Sequence, residues 1–123
     1  MPDAPLTLTQ KQVQFESLLS KLIIQCNINE IYPVSYRWRS TLADDLAYFN
    51  AGLSEIDPRK TPTAHMLGLA RDFYLVINGE VDWANLDAYK KFSEIVTSIP
   101  GLKSGGTWVT LKDWGHVEYL EWA

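Results

Sequence analysis

The chain has 123 residues, 46% hydrophobic and 21% charged, which is enough apolar content for one domain over 1–123 and too much for a disordered chain. Its formal net charge of -4, with lysines and arginines scattered, excludes the basic stripe of a nucleic-acid binder. The single cysteine, Cys26, excludes an internal disulfide and a cysteine-rich zinc knuckle. No apolar run is long enough for membrane insertion, and "MPDAPLTLTQ" lacks the basic and apolar regions of a secretion signal, so synthesis in the cytosol is expected.

In chain order, "TLTQKQVQFESLLSKLIIQCN" predicts a first helix. Thr9 followed by Gln12 forms a capping box, and Val13, Leu18, Leu19, Leu22 and Ile23 recur at helical spacing. Cys26 falls at the end of this helix as a small core residue. "EIYPVSYRWRS" is β-branched and aromatic and predicts an edge strand interrupted at Pro33, with Arg37 and Arg39 coming off its end. A second helix runs from Leu42 to Asn50, capped by Thr41, with Asp44 and Asp45 as helix-start charges and Gly52 as a left-handed stop. "LSEIDPRKTPT" has two prolines and no periodicity, hence a surface loop.

"LGLARDFYLVI" predicts a central strand ended by an Asn78-Gly79 turn, with Val81 beginning the return. A third helix, Asn85 to Ser98, places Leu86, Tyr89, Phe92, Val96 and Ile99 on one face and stops at Pro100-Gly101. "GGTWVTL" and "HVEYLEW" predict two strands joined by "KDWG", a hairpin whose turn carries Asp113 and delivers His116. Helices first, then strands with one helix between, spell an α+β fold: a small antiparallel sheet flanked by about three helices.

Both histidines stand beside glycines and aspartates, His65 in "TAHMLGLARD" and His116 in "KDWGHVEY". Two histidines and one aspartate would satisfy a catalytic zinc, which takes three protein ligands and leaves the fourth position to water. His65 and Asp72 are seven residues apart and would face opposite sides of an uninterrupted strand. Gly68 lets the chain turn, so that His65 comes from a loop while Ala70 and Asp72 share a strand face, with the small Ala70 leaving room. Gly115 allows a tight turn between Asp113 and His116, so one can bind the ion while the other reaches its water; Asp113 fits the role of base. An isolated histidine is more often a surface or core residue, and spacing alone leaves that alternative open. HExxH, CxxC, GxSxG and nucleotide-binding glycine loops are absent.

"TAHMLGLARD" resembles the SxHxxGxAxD signature, and "GGTWVTLKDWGH" the GGxWxxxxDxxH signature, of zinc peptidases in the lysostaphin, D-alanyl-D-alanine carboxypeptidase and hedgehog group. The nearest branch is the L-alanyl-D-glutamate peptidases used as phage endolysins. The likeness covers roughly residues 30 to 120, and "YRWRS" with "AGLS" resembles the segment that precedes the first motif.

This resemblance implies Zn2+ held by His65, Asp72 and His116, with Asp113 as general base. Thr63 stands in place of the usual serine and keeps its hydroxyl toward substrate. The cleft arginine is best matched by Arg39, followed by Ser40, while Arg37 follows a tyrosine as in the family; the spacing to Gly52 departs by one residue. Trp108 is expected to pack beneath the site, and Glu118 is either a partner that orients His116 or an exposed strand residue. The implied activity is hydrolysis of peptidoglycan stem peptides at the L-alanyl-D-glutamate bond by a monomeric endolysin that meets the wall after membrane breach. The alternatives are a D-alanyl-D-alanine carboxypeptidase of the same group and a non-catalytic zinc or wall-binding module.

Overall fold

The structure is a computed structural model that describes residues 5–37, 41–54, 57, 59–60, 63–109 and 112–122. Among the described residues the elements follow the order α1 (Leu8–Ile28), β1 (Pro33–Arg37), α2 (Leu42–Asn50), β2 (Ala70–Ile77), β3 (Glu80–Asp82), α3 (Leu86–Ser98), β4 (Leu102–Ser104) and β5 (His116–Tyr119). The strands form one antiparallel sheet in the order β1-β2-β5-β4, with β3 paired to the far half of β2. Three helices and a small antiparallel sheet make this the α+β fold expected. No described helix is long and apolar enough to cross a membrane.

Helix α1 begins two residues earlier than the sequence pattern suggests. Thr7, not Thr9, is the cap: its hydroxyl accepts from the Gln10 peptide N–H, and the Gln10 side chain accepts from the Thr7 N–H. The buried stripe is Phe15, Leu19, Leu22 and Cys26, spaced by one helical turn each, whereas Val13 and Ile23 face solvent. Both are expected in the core; the stripe that is buried follows Phe15 at steps of four, three and four residues, and Val13 and Ile23 fall off that face. Cys26 is wholly buried at the last turn, and burial pushes its thiol up to about 12, so it is an inert core residue.

Strand β1 begins at Pro33 instead of being interrupted there, since proline is tolerated as the first residue of an edge strand. Helix α2 matches its predicted bounds, with Thr41 and Asp44 as a capping box and Gly52 in the left-handed region. The β2–β3 hairpin turns through Asn78 and Gly79, both at positive φ, the twist a two-residue hairpin needs. In α3, Tyr89, Phe92, Ile95 and Val96 are buried, and Leu86 in the first turn is half-exposed, contrary to expectation. Tyr89 anchors that turn instead: its hydroxyl donates to the Asp82 carbonyl (2.7 Å) and accepts from the Leu75 N–H (3.1 Å).

"GGTWVTL" does not form the predicted strand. The arm that pairs with β5 is Leu102–Ser104, and Gly105–Thr107 is a single turn of 3-10 helix. Thr110 and Leu111 lie outside the described residues.

The sheet divides its side chains by period two. Phe73 and Leu75 of β2, Val117 and Tyr119 of β5, and Leu102 and Ser104 of β4 form the core with α1 and α3. Phe73 packs on Phe92 at 5.7 Å and Phe15 meets Tyr119 edge-on at 6.4 Å. Each fully buried side chain of this size stabilises the fold by about 1.5–3 kcal/mol. The opposite face carries Ala70, Asp72 and Tyr74, then His116 and Glu118, then Lys103. That face is polar where an ordinary covered sheet would be apolar, and it is the floor of the site.

Candidate active site

Strand register builds the floor in rows. Arg37 of β1 is opposite Asp72 of β2, and Asp72 is opposite His116 of β5; one row further on, Ala70 faces Glu118 and Glu118 faces Lys103. Cross-strand neighbours on one face lie about 4.5–5.5 Å apart at Cβ, so Asp72 and His116 meet as a consequence of pairing alone. His65 arrives from outside the sheet, as predicted. The 64–68 turn is closed by the Gly68 N–H on the His65 carbonyl (3.0 Å) and the Leu69 N–H on the Ala64 carbonyl (2.8 Å), with Gly68 at φ +70. Gln12 of α1 pins the turn by donating to the Leu67 carbonyl (2.8 Å).

The result is a compact donor set. One ligand atom from each of His65, Asp72 and His116 lies within 4.8 Å of the others, and all three residues are buried. His65 Nε2 is 3.3 Å from Asp72 Oδ2, and His116 Nδ1 is 3.0 Å from Asp72 Oδ1. The second nitrogen of His116, Nε2, sits 2.8 Å from Glu118 Oε1. Glu118 shares the strand face of His116 and is buried, so of its two expected roles it takes that of orienting partner. A neutral His116 that donates Nε2–H to Glu118 presents the Nδ1 lone pair to the Asp72 side, the tautomer a metal ligand needs. Two imidazoles and a carboxylate, convergent and buried, fit zinc chemistry.

Protonation follows from the same geometry. Burial alone would lower His116, but the Asp72 and Glu118 carboxylates on its two nitrogens outweigh it and raise the ring to about 9. Burial works against the Asp72 carboxylate as well, and its hydrogen bonds to His116 and His65 more than compensate, holding it well below the usual carboxylate range.

Above this floor opens a cleft of about 520 Å³. Asp113 lines it and is held by its backbone: its N–H donates to the Gly105 carbonyl (3.1 Å) and its carbonyl accepts from the His116 N–H (3.2 Å). Desolvation, then the negative charge of Asp72, push the Asp113 carboxyl above its ordinary value. Gly105 is sterically required, since a Cβ there would lie 2.4 Å from the Asp113 carbonyl oxygen and 2.8 Å from His116 Cβ. At Gly115 a Cβ would lie 2.3 Å from the Phe73 carbonyl oxygen. Trp108 does not sit beneath the site: its half-buried ring stands 4.7 Å from the His116 ring as part of the cleft lining.

Of the two arginines, Arg37 lines the cleft, and Arg39 lies outside the described residues. Arg37 donates to Asp45 (2.7 Å) and Asp72 (3.3 Å), and its guanidinium lies over the Tyr48 ring at 4.3 Å. Its position depends on a bulge: Ser35 pairs with Phe73 and Arg37 with Asp72, leaving Tyr36 as the extra residue, so Tyr36 and Arg37 both reach the cleft. Thr63 donates its hydroxyl to Asp45 and accepts from the Met66 N–H (3.2 Å), so this hydroxyl serves the Arg37–Asp45 network. Asp45 stands in the first turn of α2 as expected, but it is also buried and joins Arg37 to Thr63. The signal for this was available, because Asp44 already completes the cap and its neighbour projects about 100° further round the helix.

No protein-family model matches the chain, and no curated protein matches it in sequence. Among solved structures the fold is similar to that of the L-Ala D-Glu endopeptidase ChiX of Serratia marcescens. The TM-score is 0.63 and the identity 21%, over 85% of this chain and 78% of that one. The chain therefore has the fold of that endopeptidase, with a buried His-Asp-His group able to hold a metal ion at its floor.

Proposed function

We propose that the chain is a zinc-dependent peptidoglycan peptidase that cuts the stem peptide at the L-alanyl-D-glutamate bond and serves as a monomeric, cell-lysing endolysin. The observation that carries this is the buried His65-Asp72-His116 set at the floor of a cleft that Asp113 lines, on a fold shared with an enzyme named for that bond. Zinc bound to these three residues would acidify a water to a pKa near 7 and polarise the scissile carbonyl. Asp113, which lines the cleft beside these residues, accepts the proton of the attacking water and returns it to the leaving amine. Arg37 spends two N–H groups on Asp45 and Asp72 and has others left for a substrate carboxylate or the oxyanion, a role it shares with or yields to Arg39.

The test is mass spectrometry of purified sacculi digested with and without a chelator. Chelator-sensitive release of peptides with a new D-glutamate amino terminus is the expected result. Loss of terminal D-alanine alone would replace the bond with that of a carboxypeptidase, and no cleavage by zinc-loaded protein would leave a binding module.

Two further outcomes follow from His116. Its value near 9 exceeds the ordinary 6.5, so in chelated protein the pairing with Asp72 and Glu118 stabilises the fold fully below about pH 6.5, and this is lost as the pH rises through 9. The loss is roughly 3 kcal/mol, visible in urea midpoints of the chelated protein at pH 6, 7.5 and 9. Zinc must displace that proton, so apparent zinc affinity rises over the same interval; a pH-independent affinity would rule out His116 as a ligand. Separately, Glu118→Gln keeps a hydrogen-bonding group but removes the charge that fixes the tautomer, and should weaken zinc binding about 10- to 100-fold in a competition titration. Unchanged affinity would make Glu118 merely structural.

A further inference from the structure

One cluster beside the cleft has no part in the chemistry above. Tyr74 follows Asp72 by two residues on the same face of β2, Tyr36 is the bulged residue of β1, and Trp83 comes directly after β3. Their rings gather at centroid distances of 5.9 Å (Tyr36–Tyr74, stacked), 5.4 Å (Tyr36–Trp83, edge-on) and 5.5 Å (Tyr74–Trp83). Trp83 is 63% and Tyr36 50% exposed. Large rings that hold one another in place while leaving faces open to solvent form a binding surface more readily than a core. A second cleft of about 270 Å³ lies here, lined by Trp83, Leu86 and Trp114 among others, and Tyr36, Lys112 and Asp113 line both it and the larger cleft.

We infer that this second cleft and its aromatic shelf bind a sugar ring of the wall's glycan strand beside the peptide being cut, an assignment that rests on the peptidoglycan-peptidase reading. A pyranose presents an apolar face of C–H groups and a rim of hydroxyl and amide groups. Trp83, the more exposed of the two, offers an apolar indole to the first, with Tyr36 packed beside it. For the second, Lys112 stands in the shared lining; its ammonium donates one bond to the Gly106 carbonyl (3.1 Å) and retains further donors. The volume of the cleft is that of one small ring system. Placement agrees with the chemistry of the substrate. The stem peptide is attached to the glycan through its L-alanine, so a sugar must lie within one residue of the scissile carbonyl, and the two clefts meet at Asp113.

Calorimetric titration of the full chain with peptide-free glycan strands tests this. Wild type should bind, Trp83→Ala about tenfold more weakly, and Trp83→Phe in between. In parallel, Trp83→Ala should lose about tenfold in kcat/KM, through KM, on a disaccharide-linked stem peptide relative to the same peptide without sugar. No glycan binding by wild type, binding unaffected by Trp83→Ala, or an equal loss on both substrates overturns the sugar site. A dimer that Trp83→Ala dissociates in sedimentation, with glycan affinity intact, does so too and gives the shelf to a second copy of the chain. The titration needs no turnover: glycan binding weakened by Trp83→Ala in a protein that cuts neither substrate would refute the peptidase reading and uphold the sugar site.

Discussion

Asp113→Asn should lower kcat on sacculi by about 10²- to 10⁴-fold and leave zinc content at the wild-type level. The substitution is nearly isosteric, and the bonds that place residue 113 are made by its backbone to Gly105 and His116, so the loop and the neighbouring ligand keep their positions. What disappears is the group able to take a proton. Wild type should also lose rate at acid pH as the Asp113 carboxylate takes up a proton. That acid limb should vanish in the variant. Steady-state rates against pH, with metal analysis of the same samples, decide the matter. Unchanged kcat would remove Asp113 from the mechanism, and a loss of zinc would recast it as a ligand.

What could be read in advance differs from residue to residue for physical reasons. His65, Asp72, Asp113 and His116 fall in two short segments with a glycine between the paired residues: Gly68 reverses the chain between His65 and Asp72, and Gly115 lies in the turn between Asp113 and His116. Local constraints of that kind are written locally. The Arg37–Asp45–Thr63 network is not, since its members are 8 and 18 residues apart and only the packing of α2 and the 64–68 turn beside β1 joins them. Tyr36 escapes because a bulge adds one residue without disturbing the composition of the strand. The α1 cap was displaced by an ambiguity in the chain itself, where threonine and glutamine recur at 7/10 and 9/12 and only the first pair is used. The arm before β5 was misplaced because threonine, tryptophan and valine favour strands, while the two glycines ahead of them make a tight turn against Ser93, Trp114 and Asp113.

His65→Ala should cost little in chelated protein and much in zinc-loaded protein, and that asymmetry is the content of the prediction. Without metal, His65 lies 3.3 Å from Asp72, but Asp72 keeps His116 at 3.0 Å and Arg37 at 3.3 Å, so truncation strands no carboxylate. With metal, a ligand that binds only the folded chain adds RT ln(1 + [L]/Kd), about 4 kcal/mol at a thousandfold excess over Kd. For a chain of this length that corresponds to roughly 15 °C in Tm. Wild type should therefore gain that increment on addition of zinc, and His65→Ala should gain almost none and bind far less than one equivalent. The substitution removes one of three ligands, and a two-ligand site has neither the affinity nor the geometry to replace it. Thermal unfolding of both proteins with chelator and with zinc, alongside zinc stoichiometry, separates the cases. An equal zinc-dependent rise in the variant would show that the ion is held elsewhere, and an equal loss with and without zinc would reduce His65 to a packing residue.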